Sequence, residues 1–215
     1  MTDEPCPCCG NVDELASEIE TSAGQWIREE SVLDTELPRG MRVALGRFLG
    51  SDSIETLGEW ACEVRQHVGG SISVEELCLS SEQTEHWGIV DGDQYYFACF
   101  YDAVILAALS DQPVDIHTVS PAGDTIEAHA IGSSELTVAP EEAIFSFGIE
   151  KTVEPSSDDS PTLEQGYASI CPYVKAFPNF AAYERWAKRV PATTVAMPLA
   201  GATELAAELV RRAPE

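Results

Sequence analysis

Residues 94–109 read QYYFACFYDAVILAAL, an aromatic segment that runs directly into an apolar one. Residues 94–97 are typical of the end of a strand, and residues 103–109 of a buried helix. If the helix begins near Cys99, the i, i+3 spacing places Cys99 and Asp102 on one helical face, within contact distance. A thiol and a carboxyl group at that distance share protons and titrate as a coupled set. The segment therefore predicts a strand-to-helix junction that carries a reactive thiol–carboxyl pair.

The pair also has a purely structural interpretation. A cysteine beside an apolar helix is most often a small buried hydrophobe, and a Cys-x-x-Asp spacing arises by chance in many proteins. A helix N-terminus lowers the pKa of a thiol, whereas an ionised carboxylate close by raises it. The residues around the pair are therefore needed to determine whether it packs in the core or forms a reactive site.

The second half of the chain alternates short strand-like runs with turns. The segments predicted as strands are 114–119, 125–131, 135–138, 143–149 and 169–177. Residues 120–124, SPAGD, form a turn between the first two, and residues 154–161 form a polar loop. Helices are predicted over 180–188 and over 203–212, with Thr203 as the N-cap of the second. Runs of strands joined by tight turns favour an antiparallel sheet over parallel βαβ units.

The first third of the chain has a helical pattern, with helices predicted over 12–30, 39–49 and 57–68. This region is either a winged-helix-like unit or a helical cap on the main domain. The acidity of the chain favours the cap, because a DNA-recognition helix needs a basic surface. The predicted fold class is α+β, with an N-terminal helical region followed by a catalytic core of antiparallel strands flanked by helices. The predicted domains are a flexible Cys-rich tail at 1–11, the helical region at 12–80 and the core at 81–215.

The chain is strongly acidic, with 37 Asp and Glu residues against 12 Lys and Arg residues and a formal net charge of -25. A surface of that sign repels phosphate backbones, so we expect no nucleic-acid partner. The acidic residues are spread through all segments, which is typical of proteins adapted to a salty cytoplasm, where ions screen self-repulsion. The sequence therefore indicates a halophile, and an archaeon in particular, and we expect incomplete folding in dilute buffer.

The expected location rests on two absences in the sequence. No apolar run approaches the about 20 residues that span a bilayer, and the first residues, MTDEPC, lack the basic start and apolar stretch of a signal peptide. These features predict a cytoplasmic protein without membrane contacts. Because thiols stay mostly reduced in the cytoplasm, the seven cysteines indicate thiol chemistry rather than a disulfide framework.

Several segments together resemble the organomercurial (alkylmercury) lyase family. They are 94–109 with its Cys-x-x-Asp, 114–121 with VDIHTVSP, and 169–177 with SICPYVKAF, where Val174 and Phe177 follow Cys171 at the family's spacing. The predicted helix at 181–188, AAYERWAK, is similar to the helix that follows in the family. The resemblance covers roughly residues 90–190 and combines two separated cysteines, an aspartate and their flanking pattern.

The resemblance implies a carbon–mercury lyase whose catalytic residues are Cys99, Asp102 and Cys171. Thiolates are the softest ligands that a protein offers to the very soft Hg(II) ion, so Cys99 would bind the organomercurial and Cys171 would add a second sulfur. Asp102 would take a thiol proton and deliver it to the departing carbon, which releases a hydrocarbon. Hg(II) would stay on both sulfurs as bound product until a small thiol or a mercuric reductase accepts it. No other cofactor is implied.

The sequence departs from the family's pattern at three places. Ala98 stands where a tryptophan precedes the first catalytic cysteine, no cysteine lies near His117, and Pro172 follows Cys171. These changes affect pocket shape and substrate range but leave the three reactive groups in place. Aromatic residues near the first cysteine either line a pocket for the organic group or belong to the core. The residues concerned are Tyr96, Phe97, Phe100 and Tyr101.

Cys6, Cys8 and Cys9 place three thiols within four positions of the N-terminal tail. Such a cluster either captures mercury or receives it from the core site, or it is an oxidation-prone extension without a role. A structural zinc site would need a fourth ligand. Cys62 and Cys78 are interpreted as packing residues. The four histidines show no metal-binding spacing, and the sequence contains no phosphate loop, nucleotide fingerprint or G-x-S-x-G elbow.

Two functions from different classes stay open at this point. One is the lyase, and the other is a non-catalytic thiol protein that binds or senses Hg(II) or copper on the same fold. Asp102 favours the lyase, because a binding protein needs no proton donor. The N-terminal thiols mildly favour metal handling and are compatible with both functions.

Overall fold

The computed structural model describes residues 25–26, 31–51, 54–110, 112–153 and 161–211. The strands in these ranges are β1 (Gln25–Trp26), β2 (Leu79–Ser80), β3 (Trp87–Val90), β4 (Asp93–Phe97), β5 (Pro113–Val119), β6 (Thr125–Ile131), β7 (Glu135–Ala139), β8 (Ile144–Glu150), β9 (Ala176–Phe177) and β10 (Ala192–Pro198). The α-helices are α1 (Arg39–Leu49), α2 (Leu57–His67), α3 (Tyr101–Ser110), α4 (Leu163–Ser169), α5 (Phe180–Ala187) and α6 (Ala202–Val210). Helices combined with mainly antiparallel strands confirm the predicted α+β class.

The larger sheet has the strand order β2-β4-β3-β5-β6-β7, and all neighbouring strands are antiparallel. Burial alternates along β6: Ile126 and Ala130 are buried, whereas Glu127 and His129 are exposed. This alternation follows from the two-residue period of a strand, whose successive side chains point to opposite faces. One face of the sheet therefore lies against the core and the other meets water.

Helix α3 lies close to the inner face of this sheet. Residues 101–107 are all buried, as expected for a helix that is apolar on nearly every side. A Cβ atom on Gly88 of β3 would lie 3.3 Å from the Cβ of Ala103 and 3.1 Å from Cγ1 of Val114. Glycine at this position therefore allows the helix that carries Asp102 to approach the sheet.

The smaller sheet has the strand order β1-β10-β8-β9, in which β1 runs parallel to β10 and the other pairs are antiparallel. The first six residues of both β8 and β10 are buried. Helix α1 packs against both strands and α5 packs against β10. Strands covered in this way are buried continuously along their length and do not alternate between buried and exposed residues.

Helix α6 connects the N-terminal helices to the rest of the core, because it packs against both α2 and α3. The Tyr101 hydroxyl donates to the Ala202 carbonyl at 2.5 Å, and the Arg65 guanidinium lies 2.9 Å from the Glu208 carboxylate. Buried apolar residues of α1, α2 and α6 belong to one cluster. This packing is what a helical cap requires, while the domain boundaries at 11 and 80 stay predictions.

The bounds of α1 and β6 agree with the predicted segments 39–49 and 125–131. The strand predicted over 169–177 is wrong: α4 ends at Ser169, a 3-10 turn covers Cys171–Tyr173, and within this segment only β9 is a strand. Pro172 has no backbone N–H to give to a strand ladder.

Two further corrections concern helices. Helix α6 begins at Ala202 after Gly201, so Thr203 lies inside the helix and is not its N-cap. Residues 25–26 form β1 rather than part of a helix. The remainder of 12–30, the tail at 1–11 and residues 154–160 of the predicted loop lie outside the described residues. Within the described ranges, no helix is both long enough and apolar enough to cross a membrane.

Candidate active site

The junction between β4 and α3 positions Cys99 and Asp102. After β4 ends at Phe97, the Ala98 N–H donates to the Cys78 carbonyl at 2.9 Å. The Asp102 N–H then donates to the Cys99 carbonyl at 3.3 Å, and α3 begins at Tyr101. Cys99 therefore precedes the helix instead of starting it, which corrects the predicted helix start. Asp102 lies in the first helical turn, and the bond between the two residues keeps them adjacent.

The Asp102 carboxyl group is buried, with the residue 8% exposed. The Cys78 backbone N–H donates to this carboxyl group. The oxygen Oδ2 is buried and has no hydrogen-bond partner among the described residues. Burial raises the pKa of Asp102 to about 7, although the Cys78 hydrogen bond acts in the opposite direction. A carboxyl group with that pKa both accepts and donates protons near neutral pH.

The Cys99 thiol is the most buried group of the site, at 3% exposure. Its Sγ lies 3.9 Å from the Val174 carbonyl, to which it donates weakly. The interaction with the Cys171 thiol, burial, and the nearby charge of Asp102 raise the pKa of Cys99 well above its ordinary value. The thiol therefore keeps its proton until a soft cation binds and displaces it.

Cys171 reaches Cys99 through the segment that follows α4. Thr162 caps that helix by accepting from the Gln165 N–H at 3.2 Å, and the 3-10 turn then carries Cys171. Strand β8 anchors the end of the turn, because the Ser146 hydroxyl donates to the Tyr173 carbonyl at 2.7 Å. The structure thus brings together Cys99, Asp102 and Cys171, which we call the thiol site.

A cavity of about 290 Å³ includes all three residues of the thiol site in its lining. Most of the remaining lining is apolar or aromatic, including Phe48, Trp60, Ile72, Phe147, Leu205 and Leu209. Trp60 packs edge-on against Phe147, with ring centroids 4.8 Å apart. Of the four aromatic residues considered for a pocket, Tyr101 lines this cavity, whereas Phe97 and Phe100 are buried in the core. An apolar lining with a few polar groups is typical of a small-molecule site.

Tyr167 is a site residue that no sequence pattern indicated. It lines the cavity from α4, and its hydroxyl donates to the Glu76 carbonyl. Burial, with smaller effects from the charges of Asp102 and Cys78, raises the pKa of Tyr167 to about 12. The hydroxyl therefore stays neutral near physiological pH. Its hydrogen bond connects α4 to the 3-10 turn at Val74–Glu76.

The remaining cysteines and histidines of the described residues do not form a metal centre together with the thiol site. Across the residues that the structure describes, no three His, Cys, Asp or Glu side chains are grouped to hold a metal ion. Cys62 is half-buried on α2, and His117 and His129 pair with carboxylates on the sheet. The cluster of Cys6, Cys8 and Cys9 lies outside the described residues.

Comparisons with known proteins give one family match and one similar solved structure. The family model for alkylmercury lyase matches residues 79–211, which is more than half of the chain. A crystal structure of the mercury-bound form of MerB2 is similar at 18% identity and a TM-score of 0.46, over 61% of this chain and 60% of that one. This chain thus spans less than two thirds of the length of that protein. No curated protein matches the sequence. On the family match, the chain belongs to the alkylmercury lyase family.

Proposed function

We propose that this protein cleaves the carbon–mercury bond of alkyl or aryl mercury compounds by protonating the carbon, in mercury detoxification. The observation that carries the proposal is a buried carboxyl group, Asp102, with a pKa of about 7 beside two thiols in an apolar cavity. Thiols alone would serve a binding protein. A proton donor adjacent to them is what a lyase needs, so the non-catalytic alternative leaves Asp102 without a role.

In the first step, mercury is transferred from a small-thiol complex, R–Hg–SR′, to the sulfur of Cys99. The Cys99 proton leaves with the small thiol as R′SH. The soft cation favours thiolate ligands strongly enough to displace this proton in spite of the raised thiol pKa. Burial of Cys99 then places the organic group within the apolar cavity.

In the second step, Cys171 adds its sulfur to mercury and its proton passes to ionised Asp102. The added sulfur donates electron density and weakens the carbon–mercury bond. Asp102 then protonates the carbon, so that R–H leaves and mercury stays bound to both sulfurs. The sum is R–Hg–SR′ plus two protein thiols giving R–H, R′SH and a protein Hg(II) dithiolate. No cofactor enters this balance; a small thiol, or a mercuric reductase, would remove the Hg(II).

The proposal is tested with phenylmercury, excess small thiol and high salt, with benzene measured by headspace gas chromatography. We expect catalytic benzene formation by the intact chain, and loss of it in Cys99→Ser and Cys171→Ser. Cys62→Ser is the matched control, because Cys62 lies on α2 outside the thiol site and the cavity lining. Retention of phenylmercury without any benzene from folded protein would support the binding protein. Full activity of Cys171→Ser would exclude the two-thiol mechanism.

A further inference from the structure

The cavity that contains the thiol site has one wall built by the N-terminal helices. Trp60, Val64 and Val68 follow one another at four-residue spacing on α2 and its C-terminal cap, so they share one face. All three line the cavity, as do Phe48 and Leu49 at the end of α1. These five residues precede residue 79, where the family match begins. The helical cap therefore forms part of the cavity as well as covering the core.

A row of aromatic rings connects this wall to the thiol site. Tyr101, the chain neighbour of Asp102, stacks on Phe145 with ring centroids 5.5 Å apart. Phe147 follows two residues later on β8, on the same face of the strand, and both phenylalanines line the cavity. Phe147 packs in turn against Trp60, with ring centroids 4.8 Å apart. An aromatic lining therefore runs from the residue beside the proton donor to the indole ring of α2.

Trp60 costs more free energy than a wall that only has to be apolar requires. The residue is 9% exposed, and its indole nitrogen Nε1 is buried without a hydrogen-bond partner among the described residues. A buried N–H without a partner destabilises the folded state, and leucine or phenylalanine at this position would avoid that loss. What the indole adds is a wide and rigid apolar surface. The property that distinguishes tryptophan at this position is therefore its size.

The cavity is much larger than a methyl group requires. Its volume is about 290 Å³, whereas an apolar cavity of about 150 Å³ holds one benzene molecule. Mercury at the thiol site occupies part of this volume, and the remainder accommodates a phenyl ring or an alkyl chain of similar size. A methyl group would leave most of the apolar lining without contacts, which forfeits burial and dispersion free energy. The cavity therefore favours bulky organic groups.

We propose that the cavity selects organomercurials whose organic group is apolar and about the size of a phenyl ring, and that Trp60 and Val64 of α2 set the upper limit of that size. This inference rests on the proposed function, because the organic group enters the cavity when mercury binds at the thiol site. Trp60 and Val64 are specificity-determining residues: they contact the organic group and take no part in moving the proton.

The test measures kcat/KM for methylmercury, phenylmercury and 1-naphthylmercury through the hydrocarbon released, in excess small thiol and high salt. Ratios between substrates are compared from protein to protein, so that intrinsic differences in carbon–mercury reactivity cancel. Trp60→Leu enlarges the cavity, and we expect the naphthyl-to-phenyl ratio of kcat/KM to rise about tenfold or more. Val64→Phe fills the cavity, and we expect the phenyl-to-methyl ratio to fall about tenfold or more.

Trp87→Leu is the matched control. Trp87 is a half-buried tryptophan of β3 that stacks on His117, with ring centroids 4.7 Å apart, and it lies outside the cavity lining. Both ratios should change by less than about twofold in this variant. General destabilisation lowers kcat/KM for all substrates alike and leaves the ratios unchanged. Ratios in Trp60→Leu and Val64→Phe equal to those of the original chain would overturn the inference. Val64 is half-buried, so Val64→Phe keeps the test decisive if Trp60→Leu fails to fold.

A second measurement does not depend on turnover. Equilibrium dialysis in high salt gives the dissociation constants of benzene and naphthalene, the hydrocarbons that phenylmercury and 1-naphthylmercury would release. We expect Trp60→Leu to strengthen naphthalene binding relative to benzene binding, and Val64→Phe to weaken benzene binding, whereas Trp87→Leu should match the original chain. Identical constants in all four proteins would contradict a size limit set by α2. Absence of any hydrocarbon product from the original chain would instead contradict the proposed function, so the two failures are distinguishable.

Discussion

Asp102 and Asp115 are the same side chain in two different environments. Asp102 lies in the first turn of α3, is 8% exposed, and has an oxygen without a partner among the described residues. Asp115 lies on the outer face of the larger sheet, with a side chain 69% exposed and 2.7 Å from His129. On that face, His117 and Glu127 form a second pair at 2.7 Å. We call these four residues the outer sheet face.

The difference shows that burial, rather than residue type, makes a carboxyl group a proton donor near neutral pH. Water and a histidine surround Asp115, and exposed pairs of this kind contribute little free energy because solvent screens them. Desolvation raises the pKa of Asp102 to about 7, since the charged form is disfavoured in an apolar environment. Among the carboxyl groups of the described residues, burial therefore distinguishes Asp102 as the proton donor of the proposed reaction.

The largest expected effect is on activity. Asp102→Asn removes the group that carries the proton to carbon in the proposed reaction, so we expect kcat/KM for benzene formation from phenylmercury to fall by about 10²- to 10⁴-fold. Asp115→Asn, the matched control, should change kcat/KM by less than about twofold because Asp115 is exposed and outside the cavity. Equal losses in the two variants would contradict the distinction between the buried and the exposed carboxyl group.

The next effect is on stability as a function of pH. The pKa of Asp102 is raised from 3.8 to about 7, so the native state holds this proton more tightly than the unfolded chain does. The resulting stabilisation is fully present below pH 3.8 and is lost as the pH rises to about 7. An asparagine at this position does not ionise, so the variant does not lose this stabilisation as the pH rises.

We therefore compare the free energy of unfolding of Asp102→Asn with that of the original chain. The difference between the two should shift in favour of the variant by up to about 4 kcal/mol between pH 4 and pH 8. Denaturant unfolding in constant high salt at both pH values measures this difference. Asp115→Asn should show a change below about 1 kcal/mol. A stability difference for Asp102→Asn that does not depend on pH would mean that burial does not perturb this carboxyl group.

A smaller effect is expected in the pH profile of catalysis. Ionised Asp102 accepts the Cys171 proton in the proposed second step, so kcat/KM should rise with pH and level off above an apparent pKa of about 7. Because the thiols and the carboxyl group interact, this apparent pKa belongs to the coupled set. Asp115→Asn should keep the profile. A profile that is flat between pH 5 and 8 in the original chain would argue against Asp102 as the proton carrier.

The smallest effect concerns the outer sheet face itself. His129→Gln removes one member of an exposed pair, and we expect the free energy of unfolding to change by less than about 1 kcal/mol. Thermal unfolding at fixed salt is the measurement. A loss of several kcal/mol would show that this pair stabilises the sheet as strongly as a buried interaction.

The contrast between buried and exposed positions also explains how much of the molecule could be predicted from the sequence. Strand β6 alternates between buried and exposed residues, so its bounds could be predicted. Strand β10 is buried on both faces and has no alternation, and it was missed. Local spacing predicted the adjacency of Cys99 and Asp102, because only three positions separate them.

Other properties of the site depend on contacts between distant segments. The position of Cys171 requires α4 and the anchoring of its turn by Ser146, so the sequence indicated it only through the family resemblance. The approach of Cys78 to Asp102 and the burial that raises the Asp102 pKa also arise from tertiary packing. No pattern in a single sequence reports such packing. Salt adaptation, predicted from the net charge of -25, stays a prediction that unfolding in dilute buffer would test.

The most direct test of carbon protonation is the isotopic composition of the benzene formed in one turnover. The full chain is equilibrated in D₂O with high salt, so that thiol and carboxyl protons exchange, and is then mixed with one equivalent of phenylmercury. We expect up to one benzene per protein carrying a single deuterium, with Hg(II) retained until a small thiol is added. Folded protein that retains phenylmercury and forms no monodeuterated benzene above the protein-free control would contradict the proposal.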